Sequence, residues 1–419
     1  MNTEATPLLA RRRQALGASY RLFYEEPFAP VRGEGVWLYD QHGTPHLDAY
    51  NNVASIGHCH PAVVQAIAEQ SALLNTHTRY LHPSIVDYAE DLLSEFPPPL
   101  NNLTLTCTGS EANDLALRVA QCVTGGTGML VTRWAYHGVS NLLAQLSPSL
   151  ATGLPTASHV RLIDAPDTYR GNTFVESVTA ALEDLRAHGI RPAALLTDSI
   201  FSSDGVFTPS QGELAQAAQR VRAAGGLYIA DEVQAGFGRT GAHRWGFQCD
   251  SVIPDLVTLG KPMGNGHPVA GVVGRAELFD AFGHQQRYFN TYGGNPVSCK
   301  AAQAVLDVLR QEDLQANAQR VGEYLRQGLH DLAVRHPAIG DVRGQGLFIG
   351  VELIDSPATR LPATALASHV VNGMRRRQVL ISATGPRSNV LKIRPPLVFT
   401  REHADLLLER LSATLAELP

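Results

Sequence analysis

Residues 256–266 read LVTLGKPMGNG, an apolar strand-forming run that ends on a lysine set among three glycines. The chain has 34 Lys plus Arg, yet lysine occurs only at Lys261, Lys300 and Lys392. Arginine keeps its proton in any protein environment, whereas a lysine amine can be tuned to give it up. Lys261 is therefore a candidate working amine. Chance lysine usage is the plain alternative, and it is the reading that suits Lys300. Residues 227–236, LYIADEVQAG, have the same form, a buried-looking strand that delivers Asp231 and Glu232 at its carboxyl end.

Further β-rich runs bounded by Gly, Asp or Pro lie at 103–108, 129–132, 194–197 and 269–273. Helical patterns separate most of them; two others open at His60–Pro61 and at Ser84 with Asp87. Continuous apolar strands alternating with helices predict an α/β fold with a mainly parallel sheet covered on both faces. Ligands of such sheets gather beyond the carboxyl ends of the strands. After residue 308 the pattern changes to a long helical stretch, then GQGLFIGVEL, SHVVNGMRRR, VLKIRPPLVF and a final helix capped by Thr400. We expect a smaller α+β domain over 309–419, joined by an N-terminal segment over 1–60, with the large domain over 61–308.

Composition excludes little but narrows the class. At 419 residues and 44% hydrophobic the chain can bury a large core. A net charge of −5, with no basic run beyond Arg11–Arg13, leaves no electrostatic footprint for nucleic acid or an anionic membrane. Five cysteines without a C-x-x-C pair point to a reducing compartment, with the cytoplasm as the expected location. No apolar run of membrane-spanning or signal-peptide character is present in the sequence. The His58-Cys59-His60 triplet cannot close a tetrahedral metal shell by itself, and no second cluster has a fitting spacing, so no metal is expected.

Two more strand endings are polar. LTLTCTGSEANDLALRVA runs from a strand through Gly109 and Ser110 into a helix, whose free N–H groups and dipole would cradle an anion. Ordinary capping by Ser110 is the alternative there. VTRWAYHG places Tyr136 and His137 after a strand, where a flat ring can serve a flat ligand or simply fill core. Asp231 and Lys261 taken alone could form a plain ion pair. Together, an anion cradle, an aromatic plate, a strand-end carboxylate and a loop lysine match the needs of pyridoxal 5'-phosphate (PLP): phosphate held, ring stacked, pyridine nitrogen kept protonated, aldehyde captured by an amine.

The motifs TGSEAN (108–113), AYHG (135–138), IADEVQAGFGRTG (229–241), TLGKPMGNG (258–266), TYGGNP (291–296) and RGQGLFIGVEL (343–353) resemble those of the class III aminotransferases, PLP enzymes of fold type I. The resemblance covers essentially the whole chain. It implies that Lys261 joins the cofactor aldehyde and that Asp231 pairs with the ring nitrogen. Val233, Gln234 and Tyr136 would lie about the ring, with His137 beside them, and Gly109 and Ser110 would hold the phosphate. Thr291 would reach it from a neighbouring subunit, which implies a homodimer with interfacial sites.

Within the family, NNVASIGHCHP (51–61), NTHTRYLHPSIVDYA (75–89), PDTYRG (166–171) and NVLKIRPPLVFT (389–400) resemble the phospholyase branch. The resemblance implies elimination of phosphate and ammonia from a small phosphorylated amine such as O-phosphoethanolamine. An ω-type aminotransferase is the second expectation, and a PLP-binding regulator without turnover the third. Lys392 stands where many relatives place a carboxylate-binding arginine, and Asp198-Ser199 replace a Glu-Pro. Asn51, Arg79, Tyr80, Lys392 and Arg394 are candidate substrate contacts. Arg79, Arg170, Arg387 and Arg394 are not ranked by sequence as anion ligands.

Overall fold

In the central sheet, successive residues of a strand belong to different cores. Met129 and Val131 pack with Ala194, Leu196, Leu227 and Ile229 on one face, while Leu130, Leu195, Tyr228 and Ala230 pack on the other. Side chains alternate with period two, so a strand covered on both faces must be apolar throughout. The computed structural model that shows this describes residues 5–150, 153 and 156–417.

The sheet has seven strands in the spatial order Asn102–Thr106, Ala270–Gly274, Leu256–Leu259, Leu227–Asp231, Pro192–Asp198, Gly128–Thr132, Val160–Ile163. All pairings are parallel except those of Ala270–Gly274, which runs against both neighbours. The ten residues between Leu259 and Ala270 are too few for a parallel crossover, so that strand turns back. Helix Gly109–Thr124 covers one face with Ala112, Leu115, Ala116 and Val119. Helices Phe174–Ala187 and Glu213–Ala223 bury Val178, Leu185, Ala217 and Val221 on the other face.

Two smaller sheets flank this layer. In the first, Pro30–Glu34, Trp37–Asp40 and Pro45–Asp48 form an antiparallel meander, and Val379–Leu380 joins its last strand in parallel. Chain near the N-terminus is thereby hydrogen-bonded to chain near the C-terminus, as in Leu47 N to Gln378 O at 2.8 Å. In the second, Ile339–Gln345, Phe348–Leu353, Val390–Ile393 and Ser382–Thr384 pair antiparallel, with Lys392 opposite Gly350 and Ser382. The final helix, Arg401–Ala416, is capped by Thr400 as its sequence predicts. The helix expected to open at Ser84 instead begins at Pro83, with the His82 ring accepting from Ser84 N.

Candidate active site

Three parallel strands end at the same level, with Asp198 in register with Asp231 and Asp231 with Thr258. Beyond these ends lies a cavity of about 110 Å³. Of the residues singled out in the sequence, Gly109, Ser110, Tyr136, His137, Asp231, Val233, Gln234 and Lys261 all line it.

The anion cradle forms because Thr108, not Ser110, caps the helix. Thr108 Oγ1 accepts from Glu111 N at 3.1 Å, and the Glu111 carboxylate accepts in return from Thr108 N at 3.0 Å. This capping box satisfies the N–H at Glu111, and helical bonding starts at Ala112 N. Gly109 and Ser110 N–H precede it, at the positive end of the helix dipole. Gly109 is needed for a second reason. A Cβ there would lie 3.0 Å from Val233 Cγ2, so Val233, which lines the cavity, would have to give way.

Asp231 is buried and held by three donors. Val233 N donates to Oδ1 at 3.1 Å, and Asn113 Nδ2 donates to Oδ2 at 2.9 Å. His137 Nδ1 meets Oδ2 at 2.8 Å, while its Nε2 is buried with no hydrogen-bond partner. Asn113 is oriented in turn by Thr258 Oγ1, 2.7 Å from its Oδ1, and it also donates to His137 O at 2.8 Å. A carboxylate this enclosed is expensive unless a cation meets it.

The Lys261 amine stands 5.9 Å from the centre of the Tyr136 ring. Burial, and then the nearby Arg394 guanidinium, draw its pKa below the ordinary lysine value, against the opposing pull of Asp231 and Asp198. The Tyr136 phenol is held above its ordinary value by burial and by Asp231. Glu232, next to Asp231 in sequence, faces away from the cavity. Its carboxylate accepts from Ser199 Oγ at 2.5 Å, Gly246 N at 2.7 Å and Phe247 N at 2.8 Å, and burial pushes it up to about 7.

The anion candidates separate cleanly. Arg394 is buried, donates from Nε to Tyr50 O at 2.6 Å and from Nη1 to Gln234 Oε1, and makes no ion pair among the described residues. Lys392 is also buried, 5.6 Å from the Phe348 ring centre, with its pKa drawn well down by burial and by Arg394. Asn51 lies beside Tyr50, its N–H on Asp48 Oδ1 at 2.9 Å. Arg170 is paired with Glu352, and Arg387 is exposed. None of Asn51, Lys392 and Arg394 lines the cavity itself, and neither do Arg79, Tyr80 and Thr291. The last three lie on the surface, Arg79 over Phe289 at 3.8 Å and Tyr80 stacked on His77 at 4.9 Å. Of the His-Cys-His triplet, His58 pairs with Asp48 at 2.7 Å and His60 caps a helix.

The residues fit PLP. Gly109 and Ser110 offer free N–H groups for the phosphate, and Tyr136 and Val233 offer apolar surface for the ring. Asp231 offers a negative charge for the ring nitrogen, and Lys261 an amine of lowered proton affinity for the aldehyde. Asn113, Asp198 and Thr258 complete the site and were not selected from sequence. Asn113 had one usable signal, a polar side chain on the sheet-facing side of the helix that opens the cradle.

Comparison with known proteins places this geometry. Residues 23–415 match the family model described as Aminotransferase class-III. The chain is 41% identical to an alanine–glyoxylate aminotransferase 2-like protein of Drosophila melanogaster, covering 96% of this chain and 85% of that one. It is 38% identical to ethanolamine-phosphate phospho-lyase homolog 1 of Caenorhabditis elegans, over 94% and 90%. Among solved structures, a phospholyase from Arthrobacter in complex with phosphoethanolamine superposes with a TM-score of 0.96 at 49% identity, covering 98% of this chain and all of that one. A PLP-bound amine transaminase from an uncultivated Pseudomonas species superposes at 0.86 with 29% identity, over 97% and 98%. A fold type I architecture, a PLP-shaped site and a family match over nearly its full length show that the chain belongs to the class III aminotransferases, PLP-dependent enzymes.

Proposed function

We propose that the protein is a phospholyase that eliminates phosphate from a small phosphorylated amine such as O-phosphoethanolamine, the resulting enamine being hydrolysed by water to an aldehyde and ammonia. The observation that carries this reading is Arg394, a buried guanidinium beside Lys261 that makes no direct ion pair among the described residues, with Lys392 buried next to it and the Asp198 carboxylate as a nearby negative charge to both. Two buried cations that no salt bridge pairs directly are costly until an anion arrives. A phosphate dianion answers two cations better than a single carboxylate does. The likeness to the phosphoethanolamine-bound Arthrobacter enzyme supports the same assignment.

PLP, when bound, supplies an electron sink for the carbon that bears the substrate nitrogen. Asp231, fixed by Asn113 and His137, holds the proton of the ring nitrogen and keeps that sink cationic. Lys261 would serve as the base that takes the proton from that carbon, and burial, which draws its pKa below the ordinary lysine value, favours the free amine. Arg394 and Lys392 hold the phosphoryl group while its C–O bond breaks, and the departing phosphate takes the electron pair.

The second reading is an ω-type aminotransferase, supported by likeness to the alanine–glyoxylate aminotransferase 2-like protein and the amine transaminase. Its discriminating test is multiple-turnover incubation of the holoenzyme with O-phosphoethanolamine and no keto acid. Sustained release of inorganic phosphate is expected. Strict dependence on pyruvate would sink the phospholyase reading, and no turnover under either condition would favour the third reading, a regulator. We also propose a homodimer, supported by the exposed apolar face formed by Tyr80, Leu81, Phe289 and Tyr292 around Thr291. Light scattering that gives a monomer mass at micromolar concentration would overturn it.

A further inference from the structure

The loop 198–207, DSIFSSDGVF, ends the strand next to Asp231 and carries a buried carboxylate that the reaction does not use. Asp204 Oδ2 accepts from Thr132 Oγ1 at 2.7 Å, and Oδ1 accepts from Trp134 N at 3.2 Å. Both partners belong to the segment that continues into Tyr136 and His137. That segment is also held by Arg133 N on Ile163 O at 2.9 Å, by Ser149 Oγ on Ala135 O at 2.9 Å, and at His137, whose N donates to Ser147 Oγ at 2.9 Å and whose O accepts from Asn113 Nδ2 at 2.8 Å. The Arg133 bond ties it to the edge strand, and the others lie at its far end. The bonds to Asp204 tie its entry to the loop beside Asp231.

The loop that presents Asp204 is strained and tightly fixed. Phe201 and Val206 have φ of 47° and 61°, and a β-branched residue rarely adopts a positive φ. Such a conformation persists only where the surroundings over-determine it, and it collects at functional sites. Here Arg343 Nε donates to Gly205 O at 3.1 Å and Val206 O at 3.0 Å, Thr384 Oγ1 donates to Ser202 O at 2.9 Å, and Gly385 N donates to Ser203 O at 3.1 Å. The same loop reaches the cavity floor, since the Gln234 amide donates to Ser202 Oγ. Burial pushes the Asp204 carboxyl up to about 7, so a neutral side chain of the same shape is a close substitute for it.

We propose that Asp204 is a positioning residue for the cofactor: it fixes the 132–137 segment and, through it, the Tyr136 ring and the His137 imidazole that meets Asp231. This goes beyond the substrate assignment and holds for a lyase or a transaminase alike.

The test titrates PLP into the cofactor-free protein and reads its dissociation constant, the circular dichroism that the bound cofactor acquires, and the thermal midpoint before loading. Asp204→Ala is expected to loosen PLP about ten-fold and weaken the induced dichroism, as loss of two buried hydrogen bonds implies. Asp204→Asn is expected to stay within about two-fold, because its amide oxygen still accepts from Trp134 N and the Thr132 hydroxyl can turn to accept from the amide. Should Asp204→Ala not fold, Thr132→Val removes one of the two bonds and is expected to loosen PLP about three-fold. A lowered thermal midpoint with affinity and dichroism unchanged would overturn the proposal in favour of a purely structural role. Asp204→Asn as loose as Asp204→Ala would overturn it as well, since charge and not hydrogen bonding would then be at work.

Discussion

His137 Nδ1 and Asn113 Nδ2 converge on one oxygen of Asp231, at 2.8 Å and 2.9 Å, so that Oδ2 is held from two elements and cannot rotate away from the cavity. The carboxylate is fixed in place before any ligand is present, which is the condition for it to act electrostatically without reorganisation. Asp231→Asn keeps the shape and removes the charge. We expect it to retain PLP, judged by absorbance, and to lose kcat by about 10²–10³-fold. A loss under five-fold would mean that Asp231 does not hold the ring nitrogen's proton.

Under the proposed reaction the amine of Lys261 has two jobs, one covalent and one as a base. Lys261→Ala is expected to bind PLP reversibly, to yield no borohydride-fixed pyridoxyl adduct on the 256–266 peptide, and to lose turnover by about 10³-fold or more. Mass spectrometry of the reduced, digested protein checks the first part independently of the substrate. An adduct on Lys300 or Lys392 in the wild type would refute the assignment.

How much of this was legible from residues follows from how each residue is exposed to its neighbours. Five of the seven central strands were readable because both faces are covered and their runs are largely apolar, and a sixth, the half-buried edge strand Asn102–Thr106, was readable from its alternating Leu and Thr. The seventh, Val160–Ile163, is an edge strand with Arg161 in it and only its ends buried. The reversed direction of Ala270–Gly274 followed from a short connection that the strand pattern alone does not report. Asp231 and Lys261 were legible because charge at the end of an apolar strand has few explanations. Asn113, Ser147, Thr258 and Asp204 were not, since a small polar residue in sequence does not say which partner will satisfy it. Capping by Ser110, the alternative to an anion cradle, falls to Thr108 instead, because the two carry equivalent hydroxyls and only the backbone decides between them.

Glu232 gives a pH prediction with a definite sign. Its native pKa is raised to about 7, above the ordinary glutamate value of about 4.3. Below that ordinary value the group is neutral in both states and costs nothing. As pH rises toward 7 the unfolded chain ionises first, so this residue's share of stability falls by up to about 1.4 kcal/mol per pH unit. Glu232→Gln removes that slope but turns an NH₂ group either toward Gly246 N or toward Ser199 Oγ and Phe247 N, at a cost of about 1–3 kcal/mol. Urea midpoints are therefore expected to favour the wild type clearly at pH 4.5, with the gap narrowing by pH 8. A gap that widens with pH would show that the three donors outweigh burial.

Lys392 gives the opposite sign and connects stability to function. Its amine is buried against Phe348 without an ion pair among the described residues, and its pKa lies well below the ordinary lysine value. The folded state therefore binds this proton less readily than the unfolded chain does. The penalty is full below the folded pKa, shrinks as pH rises from there, and vanishes above the ordinary lysine value of about 10.4. Lys392→Met fills the same space without charge, and it is expected to stabilise the protein by about 1–3 kcal/mol at pH 7. That advantage should fade as the pH approaches 10. If the amine is retained because it meets the substrate's phosphate beside Arg394, the same substitution should raise KM for O-phosphoethanolamine about ten-fold while kcat changes less. Denaturation at pH 7 and 10, with steady-state kinetics on the same preparation, measures both sides of that exchange. A variant less stable than the wild type at pH 7, with KM unchanged, would show that Lys392 is a satisfied packing residue and would move the phosphate contact to Arg394 alone.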